Sequence, residues 1–301
     1  MRADSVLLAG GLPAATALVR DHNGRNSASD LFDAQMDVKA LQSVRSARRR
    51  SPAPQAPGAV AENVLRSFNT WHFKREQPSD PRLMLGIIAE AVAADLPVPF
   101  VTYWGKGPRC TRAEPDIQCL DFLDELAARV RAVYRPGAAL TLIFTDTHAQ
   151  LNGHAPATIG RYMADVEASA RERGFDGCRL SGLLRAAGPM PLDDDEAPPD
   201  DLLARLCASA EKWYRGEERP EQGARAYYRM NMVERRAVEL AFPRSIFVTF
   251  NGSDLRGLFP KRLPIFYMYS LRRGFGVKPW FLPAGAPACD EHACRCAAVQ
   301  G

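Results

Sequence analysis

The run Ala139-Leu140-Thr141-Leu142-Ile143-Phe144-Thr145-Asp146-Thr147-His148 constrains this chain most. An apolar, β-prone segment stops abruptly at a carboxyl, a hydroxyl and an imidazole. A helical segment closed by Tyr134-Arg135-Pro136-Gly137 precedes it, and a second helical segment follows from about Pro156. Helix, buried strand and helix in succession are the repeating unit of an α/β sheet. Open parallel sheets bind ligands in the crevice outside the carboxyl ends of their strands. The chain therefore reads as a small-molecule enzyme or binder, with its site at this strand end.

The surrounding pattern supports that class. Residues 61–70 and 81–94 read as helices, the second sending Leu83, Leu85, Ile87, Ile88, Ala91 and Val92 to the core. Residues 97–104 form a strand with prolines at its start, where a missing amide is tolerated. Residues 115–134 form a helix with Pro115 and acids in its first turn and a stripe of Leu120, Leu123, Leu126, Val130 and Val133. Further helices span 159–174, 202–214 and 224–242. Strands follow at 245–250 and 263–271, separated by a turn at Asn251-Gly252. Helix–strand alternation ending in a β-rich segment predicts an α/β fold with a mixed sheet flanked by helices.

Three regions are expected. Residues 1–60 form an N-terminal appendage with an arginine run (45–50) and a Pro-rich linker, residues 61–285 the catalytic domain, and residues 286–301 a Cys-rich tail. A length of 301 residues with 46% hydrophobic residues is enough for a sizeable core. A net charge of +4 favours anionic substrates without marking a nucleic-acid binder. No apolar run is long enough to span a membrane, and the N-terminal apolar patch, broken by Gly10-Gly11 and Pro13, is not built like a secretory signal. Seven cysteines without framework spacing suit a reducing compartment, so the expected location is the cytoplasm.

Three groups of residues could carry chemistry. Lys106 and Arg109 lie on a Gly/Pro turn after a strand, where closely spaced cations suit a phosphate or carboxylate. A partly desolvated Lys106 could instead form a Schiff base, and a solvated loop is the plain alternative. Asp146 and His148 are two apart at a strand end, which puts both on one side. With His154 they could perform acid–base chemistry or act as three metal ligands, although the spacing matches no specific metal site; strand-end capping is the alternative. Cys289, Cys294 and Cys296 with His292 lack the paired knuckles of a closed zinc site. Lys261, Arg262, Arg272, Arg273 and Lys278 bracket the last strand, where charge commonly prevents edge pairing. Neither a Walker loop, a dinucleotide-binding glycine fingerprint nor a nucleophile elbow is present.

Over roughly residues 97–282 the chain resembles a distant member of the isocyanide synthase (pyoverdine/dityrosine biosynthesis) family. The resemblance rests on Val133-Tyr134-Arg135-Pro136-Gly137-Ala138, the strand closing on Thr145-Asp146, and the helix bearing Tyr162. Pro115-Asp116 with Leu120, Leu123 and Leu126, Phe242-Pro243-Arg244-Ser245-Ile246 and Lys278-Pro279-Trp280 add to it. It implies a modified Rossmann-like fold and condensation of an amino acid's amine with a pentulose phosphate carbonyl, without metal or other cofactor, to give an isonitrile. Lys106 and Arg109 would engage the sugar phosphate or carbonyl, Asp146 and His148 the amine and its protons, and His154, Tyr162 and Trp280 the substrate. Two positions depart from the pattern: Thr147 and Phe281 stand where relatives have glycine and histidine. Small molecules are the expected partners, together with a pathway enzyme. A metal-dependent enzyme using Asp146, His148 and His154, or a non-catalytic pathway protein, are the alternatives.

Overall fold

The computed structural model describes residues 56–105, 112–189, 197–214 and 216–268. The arginine run, Lys106, Arg109, Trp280, Phe281 and the C-terminal cysteines lie outside them.

In chain order the elements are α1 (Pro57–Phe68), α2 (Pro81–Ala93), β1 (Val98–Trp104), α3 (Glu114–Val133), β2 (Ala138–Phe144), α4 (Asp146–Leu151), α5 (Pro156–Glu172), β3 (Asp176–Arg179), α6 (Leu180–Ala187), α7 (Asp200–Trp213), α8 (Pro220–Ala241), β4 (Ile246–Thr249), a 3-10 turn (Ser253–Leu258) and β5 (Ile265–Tyr267). The α/β class holds, with helices on both faces of a five-stranded sheet. All five strands pair in parallel in the order β3-β2-β1-β4-β5. Among the described residues, the antiparallel component expected of a mixed sheet is confined to the isolated bridge between Lys74 and Met268. Parallel pairing follows from the connections. Every crossover between neighbouring strands contains a helix or helical turn, so the chain returns to the same end of the sheet before each new strand.

Side-chain alternation along the strands splits the core in two. Val98, Phe100 and Trp104 of β1, with Leu140, Leu142 and Phe144 of β2, pack against α1, α2, α3 and α5. Val101 and Tyr103 of β1, Ile143 of β2 and Phe247 of β4 face α6, α7 and α8. Both faces being covered explains why β1 and β2 read as near-continuous apolar runs. Pro99 is tolerated in a central strand because β4 begins to pair only at Phe100.

Some local readings shift. α1 begins at Pro57, because proline is preorganised for the first helical position and its missing amide would go unpaired there anyway. Leu83 and Val133 are exposed rather than core-facing: the buried stripe of α2 is Met84, Ile87, Ile88 and Ala91, and that of α3 ends at Val130. β3 (Asp-Gly-Cys-Arg) was not expected, since an edge strand needs only one covered side and carries no apolar run. Pairing of β3 with β2 and the adjoining α6 are tertiary features.

Candidate active site

The strand order fixes where a ligand crevice forms. From β1 the chain moves to β2 and β3 on one side, then crosses back to place β4 and β5 on the other. The helix that follows β1, α3, packs on one face of the sheet and the segment after β4 on the other, the arrangement that opens a crevice at the carboxyl ends of the two strands. A narrow pocket lies there, lined by Tyr103 of β1, Gly105 just after it, Thr145 after β2, Asn251 after β4, and Tyr227 and Asn231 from α8. Its free volume of about 10 Å³ holds about one water.

Thr145 ties the two central strand ends together. Its hydroxyl donates to the carbonyls of Trp104 (3.1 Å) and Gly105 (2.5 Å), and its amide donates to Trp104. Gly105 has a φ of +81°, a backbone setting that strains any residue with a side chain. The chain thus leaves β1 by a turn that only glycine makes cheaply, and Lys106 is the next residue.

The strand ends at Phe144, and Asp146–Leu151 is helical. Asp146 and His148 therefore do not face one side as a strand would have them. Two residues apart on a helix are about 200° apart around its axis. Asp146 turns to α6, where its two oxygens accept from the Ser181 amide (3.0 Å) and hydroxyl (2.5 Å). It satisfies an otherwise unpaired amide in the first turn of α6.

His148 turns to α8. It is wholly buried, and its Nε2 lies 2.5 Å from Oε2 of Glu234, which is equally buried. Thr147 donates its hydroxyl to the other oxygen, Oε1 of Glu234, at 2.5 Å. One carboxylate is thus held at both oxygens by adjacent residues of α4. The His148 ring sits edge-on to Tyr227 (centroids 5.0 Å) and Tyr103 (6.0 Å), both of which line the crevice. Burial, with the Glu234 carboxylate and Tyr227 after it, pushes the Tyr103 phenol well above its ordinary range, so it stays a neutral donor. Its hydroxyl and Nδ1 of His148 are buried without a hydrogen-bond partner among the described residues. Such groups are rare in folded proteins, and a catalytic role is one of the reasons a fold keeps them.

Tyr162 lies on the opposite face of the sheet. It is fully buried, donates to Asp116 Oδ1 (2.8 Å) and accepts from Trp104 Nε1 (3.3 Å). His154 is half-buried in the loop between α4 and α5. Asp146, His148 and His154 do not converge: among the described residues no three His, Cys, Asp or Glu side chains gather as a metal ligand set. This removes the ligand set on which a metal-dependent reading relied. Glu234, Thr147 and Tyr103 were missed as site residues. Glu234 carried one available signal, an acid at the helical spacing of the buried α8 face that includes Asn231, Met232, Arg235 and Val238.

The fold and site together define a doubly wound α/β protein with a narrow crevice at its topological switch point and a buried histidine–carboxylate pair behind it. Neither a protein-family model nor a curated protein sequence matches the chain. Among solved structures, the PvcA protein from Pseudomonas aeruginosa is similar with a TM-score of 0.54 at 17% identity, over 70% of this chain and 83% of that one. A tyrosyl-tRNA synthetase from Archaeoglobus fulgidus aligns with a TM-score of 0.33 at 13% identity, over 69% of this chain and 63% of its own. The likeness to PvcA is one of fold. Among the described residues, no helix is long and apolar enough to cross a membrane.

Proposed function

We propose that this chain is an amino-acid-modifying biosynthetic enzyme of the isocyanide-synthase type, joining the amine of an amino acid to the carbonyl of a pentulose phosphate. The observation that carries the reading is the wholly buried His148–Glu234 pair set behind the crevice at the β1/β4 switch point. The fold shared with PvcA supports it, as do the motifs around Tyr134, Asp146 and Tyr162. Amine–carbonyl condensation needs a group that takes a proton from the amine before it attacks, and a neutral imidazole does this near neutral pH.

In this reading His148 handles the amine's protons. Asp146, with both oxygens on Ser181, steadies the strand end from the α6 side. Lys106 follows crevice-lining Gly105, and with Arg109 it receives the sugar phosphate or carbonyl. His154 and Trp280 are assigned to the substrate, while Tyr162, buried on the opposite face, braces Trp104 from behind β1.

The test is incubation of purified protein with each amino acid and ribulose 5-phosphate, followed by mass spectrometry for the isonitrile. The expected result is an isonitrile from at least one amino acid, dependent on the sugar phosphate. If no amino acid gives one, the reading fails.

A further inference from the structure

Glu234 has no place in the sequence motifs, yet it is the most constrained acid of the described site. It is fully buried, and each of its oxygens has a different donor on α4, Thr147 at one and His148 at the other. A carboxylate can only accept hydrogen bonds, so the nitrogen that meets it must carry the proton. That nitrogen is Nε2. Nδ1 is buried and meets no donor or acceptor among the described residues. A proton there would be a buried donor with nowhere to donate, on a ring made cationic in surroundings that include two tyrosine rings. The neutral ring with Nδ1 as acceptor leaves the smaller debt.

We propose that Glu234 is a positioning residue: seated by Thr147, it fixes His148 in the neutral tautomer with its proton on Nε2 and leaves Nδ1 as the accepting nitrogen of the site. Second partners of this kind commonly set which nitrogen of a histidine is protonated. Thr147 acquires a role through it. The residue that departs from the family glycine supplies the hydroxyl that orients Glu234. Use of Nδ1 as the base toward an amine rests on the function proposed above; the tautomer does not.

The experiment is 15N NMR of the full chain labelled at its five histidines, with His148→Gln identifying the resonance. In the wild type, Nδ1 of His148 is expected at an unprotonated shift and Nε2 at a protonated one. Glu234→Gln is expected to mix the tautomers, and Thr147→Val to do so less. A wild-type proton on Nδ1, an imidazolium at neutral pH, or unchanged His148 shifts in a folded Glu234→Gln protein overturns the proposal. If Glu234→Gln does not fold, the wild-type spectrum and Thr147→Val decide it. In the isonitrile assay, Glu234→Gln is expected to lower kcat about 100-fold with KM little changed. An inactive wild type sinks the functional reading alone, because the tautomer is read on the free protein.

Discussion

Tyr103 and Trp104 are neighbours on β1, and their side chains enter two buried polar networks on opposite faces of one sheet. On the Trp104 side, the indole donates to Tyr162, Tyr162 to Asp116 Oδ1, and the Ala113 amide to Asp116 Oδ2 at 2.8 Å. None of these side-chain atoms is left buried without a partner. On the Tyr103 side, Glu234 is saturated by Thr147 and His148, but the Tyr103 hydroxyl and His148 Nδ1 are not paired among the described residues. Buried polar groups cost stability unless paired, so the first network supports the fold while the second carries a debt. A fold retains such a debt where the groups serve a ligand. The face that looks less well made is the one to credit with chemistry.

Substitutions can break or sharpen that contrast. The largest expected effect is on activity. His148→Gln should lower the rate of isonitrile formation about 1,000-fold, measured at saturating amino acid and ribulose 5-phosphate. Next comes Asp116→Ala on the opposite face. It strands the buried Tyr162 hydroxyl and leaves the half-buried Ala113 amide without its acceptor, and should cost about 3 kcal/mol in urea unfolding. Tyr162→Phe keeps the ring but removes the link between Trp104 and Asp116, for a loss of about 2 kcal/mol by the same measurement.

Asp146→Ala should cost about 1 kcal/mol, because the first turn of α6 loses its external acceptor. The smallest effect discriminates best. Tyr103→Phe removes a hydroxyl that bonds nothing among the described residues, so stability should stay within about 0.5 kcal/mol of the parent or rise. If it falls as far as in Tyr162→Phe, the two faces are alike and the contrast is wrong.

Much of the scaffold was legible. β1, β2 and the long helices α3 and α8 announce themselves through apolar runs, helical stripes and prolines at their starts, all of which are local. β3 and α6 were not, because an edge strand and a short helix draw their stability from what covers them. The site was legible in part. The end of β2 followed from where the apolar run stops, and His148 enters the proposal from its place there. The pairing of Asp146 with His148 was misread, since the same residues two apart lie together on a strand and apart on a helix.

The sequence alone determined that this chain builds an α/β sheet and that reactive side chains stand at the carboxyl end of β2, because strand burial and strand endings are written in neighbouring residues. Only the tertiary structure decided which partners those side chains meet. Glu234 lies 86 residues from His148 in the chain. It reaches His148 because α8 crosses the face of the sheet that Tyr103 also enters. No local period encodes that meeting, and it is what sets one of the two buried polar networks apart from the other.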